Sequence, residues 1–383
     1  MPSLAKLLLV LLDLLAALLP WPSSGGGVAL GPGLTQAPEP PRAATGALDS
    51  STRASLLIAG TMRGFTLAER STPPRVEADY SALAGYGGNL ARIGVLLDVD
   101  AGLTKFSMSQ LERNYMQTTV AMAEKHGFKV VITITAGPAG GNRQVVWGNS
   151  ALQASLATVW TSIATQFKGN PAIAGYELIN EPMEPRHRSG QPFNPTGPDE
   201  WRPLSIRLIN AIRAVDPNSI VVWMPSPGDP DKFWPGFNNP IAPLPFRNVV
   251  YSVHFYVPHA TTHQGTGSYP LNQPYPDGPK KNKAYLIDRL QYAKAFGETH
   301  GVPIFVGEFG FNRNSPAGSR ERWFEDCLEL FEQYGWNWTA HAFRNWEGWD
   351  TEIGPEVLPH ATGPRRPDAP IITLLKNKFL LNP

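Results

Sequence analysis

Eight short β-type runs recur along the chain from Ala54 onward, and longer amphipathic stretches separate most of them. The runs are rich in Val, Ile and aromatic residues, whereas the stretches between them place apolar residues three and four positions apart. This alternation is typical of repeated βα units that build a parallel sheet. The candidate strands are SLLIAGTMRGF, NLARIGVLLD, FKVVITITAG, AIAGYELIN, SIVVWMPS, NVVYSVHFY, PIFVGEFGF and WNWTAHAFRNW.

Eight consecutive units favour a closed barrel over an open doubly wound sheet. No GxGxxG follows the first run, so a dinucleotide site is not expected. We therefore predict an α/β fold in which residues 53–383 form a single (β/α)8 TIM barrel. The loops after predicted strands four, five and six are long and rich in Pro and aromatic residues, and long loops on that face of a barrel usually form a binding cleft.

Several aromatic residues lie in or beside these loops. Each of them either stacks on a ligand or packs its own loop, and the sequence leaves both roles open. They are Trp147, Trp201, Trp234, Tyr269 and Tyr275.

The charge balance argues against an anionic partner. The chain has 33 Lys and Arg and 32 Asp and Glu, so its formal net charge is +1. This balance gives no excess of positive charge that would favour binding to nucleic-acid phosphates or to anionic membranes. We expect an uncharged partner, no nucleic acid, and a monomeric protein. Cys327 is the only cysteine, which excludes an intramolecular disulfide and a cysteine-type metal site.

The N-terminus has the composition of a targeting segment. Lys6 precedes an apolar run over residues 7–19, and Pro, Trp, Ser and Gly follow it. This pattern predicts a signal peptide at residues 1–25 and a flexible Gly/Pro/Ala-rich linker at residues 26–52. The run is too short to span a bilayer and no Cys follows it, so we expect a secreted protein without a stable membrane anchor.

Two glutamates stand at the ends of predicted strands. Glu181 follows Asn180 at the close of strand four, and Glu308 lies in strand seven, three βα units further on. Hydrolysis of a glycosidic bond with retention of configuration needs two carboxyl groups about 5 to 5.5 Å apart. Because a barrel brings the carboxyl ends of its strands to one face, this pair is a candidate for that chemistry.

Other motifs at successive strand ends accompany the pair, and with them the chain resembles the glycoside hydrolase family 5 cellulases. The resemblance covers nearly the whole chain after the linker. The motifs are Arg92 in strand two, Asn180-Glu181-Pro182 after strand four, His254-Phe255-Tyr256 after strand six, Gly307-Glu308-Phe309-Gly310 after strand seven and Trp346 after strand eight.

The resemblance implies a retaining hydrolase of a β-linked polysaccharide or oligosaccharide, closest to an endo-β-1,4-glucanase, that works without a cofactor or metal. It makes Glu181 the general acid/base and Glu308 the nucleophile. It also implies roles in substrate binding or in support of this pair. Asn180 would donate to the substrate 2-hydroxyl, and Arg92 and Tyr256 would hydrogen-bond to Glu308. His254 would position the sugar or adjust the pKa values of the two glutamates. Trp346, or alternatively Trp349, would form the aromatic surface beneath the sugar at the cleavage point.

One departure from the family pattern concerns recognition. Family 5 enzymes usually carry a His at the end of strand three, where this chain has Thr135 or Ala136. The same chemistry on another β-glycan (mannan, xylan or xyloglucan, β-1,3-glucan, or the glycan of a glycolipid) therefore stays open, as does a non-catalytic glycan-binding barrel.

A metal-dependent hydrolase is a further alternative, because His254, His259 and His263 lie close together in the sequence. The last two have the i, i+4 spacing of a zinc-binding helix. Pro258 precedes this pair, glycines follow it, and the segment has no apolar face, so we predict a loop there rather than a helical metal site.

Overall fold

A computed structural model describes most of the chain after the predicted linker. The predicted signal peptide and linker, as well as Trp234, lie outside the described residues. The described residues are 55–68, 74–136, 145–184, 199–226, 228, 230, 242–346, 348–354 and 363–383.

Within these ranges, eight parallel strands form a closed barrel, because β1 pairs with both β2 and β9. The prediction of a (β/α)8 barrel is confirmed. A two-residue strand, β3 (Phe106–Ser107), pairs antiparallel with the end of β2 outside the barrel. The barrel strands are β1 (Arg63–Ala68), β2 (Leu90–Val99), β4 (Lys129–Ala136), β5 (Ile173–Glu177), β6 (Val221–Trp223), β7 (Val249–Phe255), β8 (Ile304–Phe309) and β9 (Asn337–His341).

Helices alternate with the strands and cover the outside of the barrel. Their ends follow ordinary capping chemistry: in α3 the Ser109 side chain accepts from the backbone N–H of Glu112, and Gly127 ends the helix in the left-handed conformation. The described helices are α1 (Ser55–Ala59), α2 (Glu77–Gly85), α3 (Gln110–His126), α4 (Ser150–Phe167), α5 (Trp201–Val215), α6 (His259–Thr262), α7 (Lys283–His300), α8 (Ser319–Gln333) and α9 (Pro370–Phe379).

The first predicted strand was wrong in its N-terminal half. The SLLIA segment forms helix α1, and the strand begins only at Arg63. Gly60 explains the change of structure, because its φ of +74° turns the chain after the helix. A side chain at this position would collide with the carbonyl of Gly335, which packs 2.1 Å from the place of a Cβ.

The barrel interior is layered. A small apolar cluster at the N-terminal end of the strands includes Leu90, Val131, Val250 and Phe305. Side chains along a strand return to the same face every second residue, so the next interior layer on these strands is Arg92, Thr133, Ser252 and Gly307. The barrel therefore places a polar layer, centred on a buried arginine, directly above an apolar floor.

Two of the three long loops lie largely outside the described residues, namely those after β5 and β6. The loop after β7 is described and contains the short helix α6, where we expected no helix. This single turn is anchored by Thr261 and Thr262, which are buried, rather than by apolar side chains. In the part of the chain that the structure describes, no helix is long and apolar enough to cross a membrane.

Candidate active site

The guanidinium group of Arg92 connects the residues at the carboxyl end of the barrel. Its Nε donates to Glu177 Oε2 at 2.6 Å, its Nη1 to Glu308 Oε1 at 2.7 Å and its Nη2 to Asn180 Oδ1 at 2.7 Å. Arg92 and Glu177 are fully buried, and 13% of the Glu308 side chain is exposed. One planar cation thus fixes three side chains, two at the end of β5 or just after it and one in β8.

Ion pairs with two glutamates offset the free-energy cost of burying the Arg92 charge. Burial alone would lower the pKa of Arg92, but the charges of Glu177 and Glu308 raise it above its ordinary value. The guanidinium is therefore always charged, and it shares that charge between a fully buried carboxylate and one that faces the cleft.

Glu308 receives support on both carboxylate oxygens. Besides the bond from Arg92 to Oε1, Tyr256 donates its hydroxyl to Oε2 at 2.8 Å, and His254 Nδ1 and His341 Nδ1 each lie 3.6 Å from Oε2. Burial works to raise the pKa of Glu308, but the charges of His254, His341 and Arg92 together with the Tyr256 hydroxyl hold it well below its usual range. Burial also lowers the pKa of His341, whereas the contributions of Arg92 and Tyr256 do not depend on the protonation of a histidine.

Gly307 lets these groups approach one another. A Cβ at this position would lie 2.9 Å from Ser252 Oγ, 3.2 Å from Arg92 Nε and 3.3 Å from His254 Nε2. The Gly307 carbonyl accepts from the hydroxyls of Thr66 at 2.9 Å and Thr339 at 2.6 Å. Two buried hydroxyl groups, from β1 and β9, therefore hold the strand that presents Glu308.

Glu181 occupies a different environment. Its backbone has a φ of +41°, a left-handed conformation that is costly for a glutamate and is often found at functional sites. Its side chain is 31% exposed, and its Oε1 lies 2.7 Å from His254 Nδ1. One ligand atom each from Glu181, His254 and Glu308 lie within 4.8 Å of one another. At least one oxygen of each of the two carboxylates therefore lies within 4.8 Å of the other carboxylate.

The structure brings Arg92, His254 and Tyr256 into contact with one or both glutamates, and Asn180 into contact with Arg92; their roles in a reaction stay predictions. Trp346 lies further out. It is partly exposed, and its ring packs against Trp349 with centroids 6.2 Å apart.

Trp349 is nearly buried, at 7% exposure, and packs edge-on against Tyr256. Because so little of Trp349 is accessible to a substrate, its ring packs against other residues of the site. Trp346 stays the candidate for the aromatic surface beneath the sugar at the cleavage point.

The histidines of the loop after β7 do not converge on a common point. His259 and His263 stack with their ring centroids 3.7 Å apart and an interplanar angle of 28°. In the described ranges, the one group with spacing suited to a metal ion is Glu181, His254 and Glu308, the same atoms that form the carboxylate pair.

Two contacts of this site escaped the sequence analysis. Glu177 could have been predicted as a member of the site, because an acidic residue inside a buried parallel strand needs a positively charged partner. His341 ends β9 as an ordinary strand residue, and only the folded barrel shows its ring beside Glu308 and Tyr256.

Some loop aromatics pack internally. Trp201 and Tyr275 are buried, and the Tyr275 hydroxyl donates to Asp326. Trp147 packs edge-on against Trp201, whereas Tyr269 is partly exposed beside His259.

A closed barrel that carries one carboxylate after its fourth strand and one in its seventh has the architecture of the barrel glycoside hydrolases. Residues 62–347 match the family model of cellulase (glycosyl hydrolase family 5), and the chain belongs to this family.

Similar proteins are distant in sequence. Endoglucanase C of Acetivibrio thermocellus is 25% identical over 229 residues, a match that covers 50% of this chain and 61% of that protein. Cellodextrinase A of Ruminococcus flavefaciens is 24% identical over 249 residues, covering 61% of this chain and 68% of that one. The chain thus spans about three fifths of the first relative's length.

Among solved structures, an endoglucanase from the hyperthermophilic Thermotoga maritima superposes with a TM-score of 0.63 at 18% identity, covering 86% of this chain and 98% of that one. At this level of identity the likeness establishes the fold alone.

We expect Glu177→Gln to lower kcat for a glycan substrate about ten-fold and to leave KM nearly unchanged. A neutral amide holds the guanidinium less firmly than a carboxylate does, while the buried side chain is remote from substrate. The matched control is Glu332→Gln, which breaks the similar pair of Glu332 with Arg63 at the start of β1. This control should reduce thermal stability without changing kcat. Equal kcat in the two variants would contradict a role of Glu177 in the site.

Removal of the Tyr256 hydroxyl should raise the pKa of Glu308, because that hydroxyl stabilises the carboxylate. In Tyr256→Phe the acid limb of the kcat/KM profile should move to higher pH by about half to one unit, the equivalent of one hydrogen bond. Tyr285→Phe, on the outer helix α7, serves as the control. An acid limb that stays in place or moves to lower pH would show that Tyr256 does not stabilise the ionised form.

Proposed function

We propose that this protein is a retaining β-glycosidase of the endo-β-1,4-glucanase type, with Glu308 as nucleophile and Glu181 as general acid/base. The observation that carries the proposal is the short distance between two carboxylates in contrasting environments. Arg92 and Tyr256 favour the ionised form of Glu308, whereas the partly exposed Glu181 contacts His254.

The reaction follows from these two roles. In the first step the Glu308 carboxylate attacks the anomeric carbon, and Glu181 gives its proton to the departing glycosidic oxygen. A covalent bond forms between Glu308 and the sugar as the glycosidic bond breaks. In the second step Glu181 takes a proton from water, which attacks the same carbon and releases Glu308.

Asn180 is oriented for a contact that aids both steps. Its Oδ1 accepts from Arg92, so its amide nitrogen is free to point elsewhere and donate to the 2-hydroxyl of the sugar bound at the cleavage point. Hydrogen bonds to this hydroxyl strengthen as the sugar approaches the oxocarbenium-like transition state. This places Asn180 among the groups that lower the barrier rather than those that only bind substrate.

The substrate we propose is a β-1,4-linked glucan, by analogy with the endoglucanase and the cellodextrinase that the chain resembles. A second candidate is another β-glycan, and the absence of a histidine at the end of the third barrel strand, where Thr135 and Ala136 stand, favours it. A reducing-sugar assay over a panel of soluble β-glycans distinguishes the two. Hydrolysis that is lost in Glu308→Ala would exclude a non-catalytic glycan-binding barrel.

We further propose that the protein is secreted, with residues 1–25 as signal peptide and 26–52 as linker, and that it acts as a monomer. Deletion of residues 1–50 should leave the specific activity nearly unchanged, because this stretch lacks a periodic apolar face that would pack on the barrel. Activity per mole of soluble protein measures this. A soluble but inactive truncated form would contradict the assignment.

Chemical rescue separates the roles of the two glutamates. With a nitrophenyl glycoside, whose leaving group needs little protonation, Glu181→Ala should give a burst followed by slow turnover. Its activity on natural glycan should fall by about 10² to 10⁴-fold. Azide needs no general base, so it should speed the second step and yield a glycosyl azide of retained β configuration.

Glu308→Ala should show no burst with any leaving group, because no covalent intermediate forms. Any azide product from this variant should have the inverted α configuration. A β product from Glu308→Ala, or an α product from Glu181→Ala, would mean that the two roles are exchanged.

A further inference from the structure

We propose that the stacked imidazoles of His259 and His263 form a binding wall for the sugar on the leaving-group side of the cleavage point, with His263 Nε2 accepting a hydrogen bond from one of its hydroxyls. This inference rests on the proposed function and adds a recognition site to it.

The tautomer of His263 follows from its neighbour Thr262. The Thr262 hydroxyl lies 2.7 Å from the carbonyl of Tyr256 and 3.0 Å from His263 Nδ1. Its single hydrogen is committed to the carbonyl, so the hydroxyl oxygen accepts from Nδ1–H. Nε2 of the neutral ring then carries a lone pair.

The ring stays neutral at the pH where it would bind sugar. Burial, followed by the positive charge of His259, holds the pKa of His263 well below its ordinary value. A neutral imidazole with a free acceptor is complementary to a sugar hydroxyl, which is a good donor. A buried cation at this position would instead have only donors to offer.

The position of the pair puts it inside the cleft. The His263 ring lies 5.1 Å from the Tyr256 ring and 4.8 Å from the Trp349 ring, centroid to centroid, and Tyr256 bonds directly to Glu308. His259 is exposed, and its ring stacks on His263 and lies edge-on to Tyr269, so the pair offers accessible ring surface next to the tyrosine that bonds to Glu308.

The loop that carries both imidazoles leaves β7 just after His254, whose Nδ1 lies 2.7 Å from Glu181 Oε1, so the pair follows directly on a contact of the proposed proton donor. The proton donor stands next to the departing oxygen, so a wall beside it meets the leaving-group sugar. Tyr269 extends this wall, with its ring edge-on to His259 at 5.3 Å. The three rings together offer flat apolar surface and one directed acceptor, the combination by which proteins bind pyranose rings.

The test compares two substrates that differ in the leaving group. Cellotetraose carries a sugar on that side, whereas p-nitrophenyl cellobioside carries none. His263→Phe keeps a ring but removes the acceptor, and should lower kcat/KM for cellotetraose about 3- to 10-fold, mainly through KM, as expected for one hydrogen bond. The aryl substrate should change less than about two-fold.

A second variant guards against a folding defect. His259→Ala alters an exposed residue, leaves the bond between Thr262 and His263 in place, and should show the same preference for loss on cellotetraose. His300→Phe, on the outer helix α7, is the matched control and should change neither substrate. With the aryl substrate as donor and cellobiose as acceptor, His263→Phe should also transfer a smaller fraction of the glycosyl group to sugar.

The outcomes separate the two proposals. Equal losses on both substrates, or an unchanged kcat/KM for cellotetraose in both variants, would overturn the binding wall while leaving the glycosidase proposal intact. A wild-type protein that hydrolyses neither substrate would overturn the proposed function, and the binding wall with it.

Discussion

The buried guanidinium of Arg92 is the constraint on which the site depends. A charge inside a barrel must be paired and hydrogen-bonded, and loss of one partner of a buried ion pair typically costs about 3 to 5 kcal/mol. Arg92 meets this demand with Glu177, Glu308 and Asn180 at distances of 2.6 to 2.7 Å. The planar guanidinium group of arginine donates to three acceptors in fixed directions. A lysine ammonium on the same strand would not fix these directions as well. Stability and site geometry are thus coupled through one side chain.

The two glutamates differ because the barrel surrounds them differently. Glu308 directly follows Gly307 of the polar layer, where Gly307 admits Arg92 and buried hydroxyls hold the strand. Glu181 leaves the barrel on a left-handed residue and keeps 31% of its side chain exposed. Pairs of titratable groups in contrasting environments are how one site supplies both an ionised nucleophile and a proton donor. The fold creates this contrast by placing one carboxylate within a strand and the other just past a strand end.

The features of the fold and of the site that could be predicted from the sequence are those that depend on the order of neighbouring residues. Alternating β and amphipathic segments indicated the barrel, and polar residues at strand ends indicated Glu181 and Glu308. The missed parts depend on contacts between distant residues. The sequence of helix α1 is a short apolar run that is equally typical of a strand. Only the turn at Gly60 and its packing against Gly335 show that the segment is a helix. The stacking of His259 on His263 depends on a helical turn anchored by buried threonines, for which the sequence has no apolar periodicity.

Chemistry and recognition are carried by different parts of this barrel. The carboxylate pair and its supports sit on β2, β5, β7 and β8 or directly after them, where each side chain is fixed by several short contacts. The third barrel strand ends instead in Thr135 and Ala136, and the binding wall of His259 and His263 follows β7. Because the hydrogen bonds described for the two glutamates do not involve His259 or His263, the composition of the binding wall is free to vary without disturbing Arg92. Substrate choice in this chain is therefore best sought among those imidazoles rather than around the glutamates.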